Sequence, residues 1–202
     1  MSETESYESY LEVALLRAVN VRGHNTVKMP VLIDTLRGIP LPVKWIEYEG
    51  ASASILFSNP KRIPESKLQE GIRAATGRLA TVRSGEHLKA TLQRFNQLLS
   101  NTNRSVKKTN SNVEVLSHGT VKACIGFLID DVHLPTDVEY PKNVSDDVSV
   151  LGQMDGRDFY CLWIRKNGTY GNVSGAIERW LGAKATTRAY SKVYNIVCRL
   201  SR

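Results

Sequence analysis

The apolar positions of this chain fall into two alternating rhythms. Residues 11–19, LEVALLRAV, are a compact apolar run of the length of a central strand. Met29, Leu32, Ile33 and Leu36 then recur at i, i+3, i+4 and i+7, one face of a helix. Pro30 suits the first turn of that helix and Gly38 the position just past its end. VKWIEYE (43–49) and ASILF (53–57), with Gly50 between them, read as a hairpin. Pro64 opens a second helical pattern carrying Leu68, Ile72 and Ala75, closed by Gly77. LATVR (79–83) is a short strand, and Ser84 caps a helix with Leu88, Leu92, Phe95 and Leu99 on one side. The order strand, helix, strand, strand, helix, strand is that of a split βαβ, or ferredoxin-like, plait.

The second half repeats the order of elements without a sequence-level repeat. Residues 100–112, SNTNRSVKKTNSN, lose apolar periodicity and predict a polar, basic linker. Val121, Ala123, Ile125, Phe127 and Ile129 then alternate along a strand. A connection over 130–147 leads to a hairpin whose turn is Asp155-Gly156, between VSVLGQM and FYCLWI. Val173, Ile177, Trp180 and Leu181 share a helical face, with Asn172 as cap and Gly182 after the end. A last helix carries Tyr190, Val193, Val197 and Leu200. Ala185–Arg188 reads as a short edge strand running into it, with Thr186 or Thr187 as its N-cap. The fold class predicted is α/β: two tandem ferredoxin-like (split βαβ) plaits with antiparallel or mixed sheets. Their bounds are 1–99 and 113–202, joined by the linker 100–112.

Composition narrows the function classes. With 42% hydrophobic residues in 202, a buried core is expected. No apolar run is long enough to span a bilayer, and MSETESYESY lacks the basic and apolar parts of a signal peptide, so a cytoplasmic protein without a membrane partner is expected. Cys124, Cys161 and Cys198 are far apart and read as buried thiols. The four histidines have no metal-ligand spacing, so no metal is expected. Asp130-Asp131 and Glu47/Glu49 read as a solvated turn and as exposed strand residues. The net charge of +7 favours polyanionic partners.

Two stretches resemble a known family. LLRAVNVRGHNTVKM (15–29) resembles the opening motif of the domain of unknown function 1697 (DUF1697) family, and IERWLGAKATTRAYSKV (177–193) its closing motif. The resemblance implies a pair of α/β plaits and no established activity. Ala18, Arg22 and Thr26 depart from glycine, glycine and lysine of the first motif. Ala189, Tyr190, Ser191 and Lys192 replace asparagine-tryptophan-asparagine-threonine of the second. EYEGASAS stands where the family has serine-glycine-asparagine.

No nucleophile elbow, P-loop or dinucleotide fingerprint is present, so no catalytic residue or cofactor is assigned. The candidate chemistry is anion binding. Arg17, Asn20, Arg22, Gly23, Asn25 and Lys28 make a donor-rich loop before a helix, where amides and helix dipole favour negative charge. Thr186, Thr187 and Arg188 are expected as a second helix start, with two hydroxyls and a guanidinium that can grip phosphate. The leading reading is a binding module for a small anion or phosphorylated ligand, with the two motifs meeting and Glu178 as resting counter-charge. One alternative is an enzyme acting on a nucleotide-like or phosphorylated substrate there. Another is a nucleic-acid-binding accessory protein using loops and the basic linker residues Arg104, Lys107 and Lys108. No aromatic platform of the RNA-recognition type is evident on the first two strands, where Trp45 and Tyr48 point to opposite faces.

Overall fold

The computed structural model describes residues 11–17, 28–49, 54–109, 121–130, 132, 137–166 and 169–200. The chain divides into two compact units, Met1–His87 with Arg199–Arg202, and Leu88–Cys198.

The first unit follows the split βαβ order. Strand β1 (Leu11–Leu16) leads to helix α1 (Met29–Arg37), then β2 (Lys44–Glu49), β3 (Ser54–Ser58), α2 (Glu65–Thr76) and β4 (Ala80–Ser84). The four strands lie in the order β2-β3-β1-β4, and every pair is antiparallel. Period-2 alternation sends Ala14 and Leu16 of β1, Ile55 and Phe57 of β3, and Ala80 and Val82 of β4 to one face. There they meet Leu32, Ile33 and Leu36 of α1 and Leu68 and Ile72 of α2. The predicted ends hold. Gly77 adopts the left-handed conformation that closes α2, and the Ser84 hydroxyl accepts from the His87 N–H (3.1 Å) at the start of α3 (Gly85–Thr109).

Helix α3 changes the reading of the linker. Residues 100–109 continue its helix, and 110–112 lie outside the described residues. Asn, Ser, Thr and Lys lack an apolar stripe but do not break a helix, and no Gly or Pro interrupts this run. The two compact units divide at the beginning of α3, between His87 and Leu88.

The second unit carries β5 (Val121–Leu128), β6 (Lys142–Ser145), β7 (Val148–Met154), β8 (Asp158–Lys166), β9 (Thr169–Tyr170), α4 (Val173–Leu181), β10 (Ala185–Ala189) and α5 (Tyr190–Leu200) as far as Cys198. The main strand order is β10-β5-β8-β7-β6, with β9 paired to β8. The connection 130–147 thus contains a strand, β6, joined antiparallel to β7. Among the described residues no helix lies between β5 and β7. At the β7–β8 turn Asp155 and Gly156 both have positive φ (52° and 66°), as a primed hairpin turn requires. The Asn172 side chain caps α4 by accepting from the Gly175 N–H (2.9 Å), and Gly182 ends it left-handed.

Helix α4 covers one face of the second sheet. Val173, Ala176 and Ile177 pack among Cys124, Phe159, Cys161 and Ala185. Gly126 permits this contact: a Cβ there would lie 2.6 Å from Ile177 Cδ1. Helix α3 meets the opposite set of side chains. Thr91 donates to the buried Asp158 carboxylate (3.2 Å), and Phe95 lies 5.1 Å from the Tyr160 ring. Phe95 also meets Tyr190 of α5 edge-on at 5.7 Å. Among the described residues no helix is long and apolar enough to cross a membrane.

Candidate functional site

The predicted anion loop is described only at its two ends. Asn20, Arg22, Gly23 and Asn25 lie outside the described residues. Arg17 follows β1, and its N–H donates to the Leu79 carbonyl (2.8 Å) beside β4, so the chain leaves the sheet in register. Lys28 is exposed and occupies the N-cap of α1 in extended backbone. Its side chain makes no capping bond, and the first turn of α1 holds no acidic residue. Pro30 sits in that first turn, as expected. The α1 N-terminus therefore presents its positive dipole end with a cation at its cap and no carboxylate nearby in sequence.

The second predicted half of the site is corrected. Thr186, Thr187 and Arg188 do not start a helix; they lie inside β10, paired to Phe127, Gly126 and Ile125 of β5. Helix α5 begins two residues beyond Arg188, at Tyr190. A β-branched pair suits both a cap and a strand, and pairing with β5 satisfies more backbone groups than a cap would. Thr186 and Arg188 are buried on one face of β10, and Thr187 points to the other. One Arg188 amino group donates to Thr186 Oγ1 and to the Thr187 carbonyl, both at 2.8 Å. Burial pulls the Arg188 guanidinium down to about 10, so it keeps its charge at neutral pH. Thr187 shares a hydrogen bond with Ser174 of α4 (3.0 Å). Glu178, the expected counter-charge, accepts from the Ala185 N–H (3.0 Å). Asp130 accepts from the Lys184 N–H (2.8 Å), which gives it the turn role expected, while Asp131 lies outside the described residues. The side chains of Trp45, Glu47, Tyr48 and Glu49 also lie outside them.

The structure adds a correspondence that sequence reading missed. The last sheet strand of each half carries Ala-Thr-x-Arg: Ala80-Thr81-Val82-Arg83 in β4 and Ala185-Thr186-Thr187-Arg188 in β10. In β4 the buried Arg83 donates to Thr81 Oγ1 (2.6 Å) and to the Val82 carbonyl (2.8 Å), the same two acceptors that Arg188 uses. Arg83 also reaches Glu65 at the start of α2 (2.7 Å). In both strands a buried guanidinium folds back onto its own strand. The signal was four residues long, too short to stand out as a repeat.

A further cleft, of about 690 Å³, opens beside β6. Asp137, Glu139, Lys142 and Trp180 line it, and the Lys142 ammonium lies 5.4 Å over the Trp180 ring. That cation–π contact already covers the one aromatic face of the cleft.

Comparison with known proteins adds to the fold. No family model matches the chain, and no curated protein matches it. Among solved structures, the conserved bacterial protein SP0830 from Streptococcus pneumoniae is similar, with a TM-score of 0.53 and 16% sequence identity over 95% of this chain and 98% of that one. At that identity the similarity concerns the fold.

Proposed function

We propose that this protein is a divergent member of the DUF1697 family and a binding module for a small phosphate-containing ligand held at the start of α1. The observation that carries the reading is the N-terminus of α1. Its cap position is a lysine with no capping bond, and its first turn holds no acid. Most helix starts satisfy their free amides with a Ser, Thr, Asp or Asn side chain. A start left without one, following a loop that contains Arg17, Arg22 and Lys28, is suited to an oxyanion. Thr186–Arg188 is left out, because its hydroxyls and one guanidinium amino group are engaged within the second unit.

Thermal unfolding with inorganic phosphate or a nucleoside diphosphate tests the proposal. Ligand at about a hundred times its Kd stabilises by about 2.7 kcal/mol, a shift of several degrees. Lys28→Ala lowers the response, and Lys28→Glu removes it. Absence of a shift, or a shift that Lys28→Glu leaves intact, overturns the reading.

A further inference from the structure

The cations are unevenly placed. Residues 87–113 contain Lys89, Arg94, Arg104, Lys107 and Lys108 and no Asp or Glu. Residues 179–202 contain Arg179, Lys184, Arg188, Lys192, Arg199 and Arg202, again without an acid. These two stretches hold 11 of the 27 Lys and Arg, which leaves 16 against all 20 Asp and Glu, so the rest of the chain is net acidic. Within the second unit the two stretches touch through α3 and α5. Tyr190 of α5 donates its hydroxyl to Asn96 of α3 (2.9 Å) and packs edge-on against Phe95.

On this pair of helices an aromatic surface faces solvent. Tyr194 is 51% exposed and stacks on Tyr190, with ring centroids 6.5 Å apart and planes 17° from parallel. Asn96 and Phe95 hold Tyr190 in place from the α3 side. Lys89 and Arg94 are exposed on α3, and Lys192 lies half-buried on α5. A near-parallel tyrosine pair with one ring exposed, beside Lys89 and Arg94 of α3 and Lys192 of α5, suits a nucleic-acid strand with unstacked bases: a ring for a base and cations for the phosphates, with Glu86 in the first turn of α3 the nearest acid along that helix. A duplex would keep its bases away from the Tyr194 ring, and an anionic lipid surface would need only the cations.

We propose that the surface of α3 and α5 around Tyr190 and Tyr194, with the cations Lys89, Arg94 and Lys192, binds single-stranded nucleic acid. This inference does not rest on the phosphate site proposed at α1.

The test is fluorescence anisotropy with the full chain and a labelled oligouridylate of about twelve nucleotides. Binding is expected at about 50 mM salt and weakens as salt rises, through counterion release. Tyr194→Ala weakens it about fivefold or more, while Tyr194→Phe, which keeps the ring, binds like the native protein. Lys89→Gln with Lys192→Gln flattens the salt dependence, by about 0.7 in log–log slope for each phosphate no longer neutralised. Circular dichroism checks that the variants are folded, which the exposure of Tyr194 favours. No binding at low salt overturns the proposal, as does binding that Tyr194→Ala leaves intact. Equal affinity for the matched duplex overturns the stacking, and so the proposal. So does binding to phosphatidylserine vesicles in place of the oligonucleotide.

Discussion

Gly156 and Glu12 show how single residues carry local physics that can be measured. Gly156 sits at φ 66° with open space around its Cα, so a substitution there meets backbone strain and no clash. Gly156→Val is expected to destabilise by about 1–3 kcal/mol, read from the urea midpoint. An unchanged midpoint would mean that the β7–β8 turn does not need the left-handed backbone. Glu12 of β1 accepts from the Asn59 side chain (3.1 Å). Burial raises its carboxyl above the usual range and nearby Glu65 adds to the rise, against the lowering by Asn59. The folded state therefore holds this proton more tightly than the unfolded chain does. Stability contributed at low pH is lost as pH rises from the ordinary glutamate range through the folded value. Glu12→Gln is expected to raise the melting temperature at pH 7 and to leave it nearly unchanged at pH 3. Equal gains at both pH values would assign the effect to packing.

At the scale of elements, β4 and β10 repeat one device. Each buries a guanidinium against the threonine two residues earlier and the carbonyl between them. A buried donor deprived of its acceptor costs about 1–3 kcal/mol. Thr81→Val and Thr186→Val keep the shape and delete that acceptor, so each is expected to lower stability by such an amount. Thr187→Val deletes a hydroxyl bonded to another hydroxyl, Ser174, and is expected to cost less, about 0.5–1.5 kcal/mol. Equilibrium unfolding of the three variants separates the cases; equal losses would show that the arginines do not depend on the threonines. The same elements explain why one expectation failed. Ala-Thr-Thr-Arg before a helix suits an N-cap and a strand alike. Periodicity over four residues cannot choose between them, and antiparallel pairing with β5 does.

Across the whole chain, local sequence determined what local sterics and solvation control. The helical faces of α1, α2, α4 and α5, the alternation of β1 and β5, the Asp155-Gly156 turn and the left-handed ends at Gly77 and Gly182 all depend on neighbours a few residues away. The split βαβ order followed from the succession of those elements, and with it the two-plait reading. Tertiary structure decided what depends on distant partners. The polar run 100–109 is helical because nothing in it forbids a helix that 85–99 has already nucleated and packed. Residues 142–145 form a strand because β7 offers an edge to pair with. Of the predicted anion residues, the described Arg17 and Lys28 remain at the ends of their loop, while Thr186 and Arg188 turn inward, because a strand buries one face and Arg188 falls on it. The meeting of α3 with Tyr190 and Tyr194 had no counterpart in the linear reading. Residues 96 and 190 become neighbours only when both helices pack in the second unit.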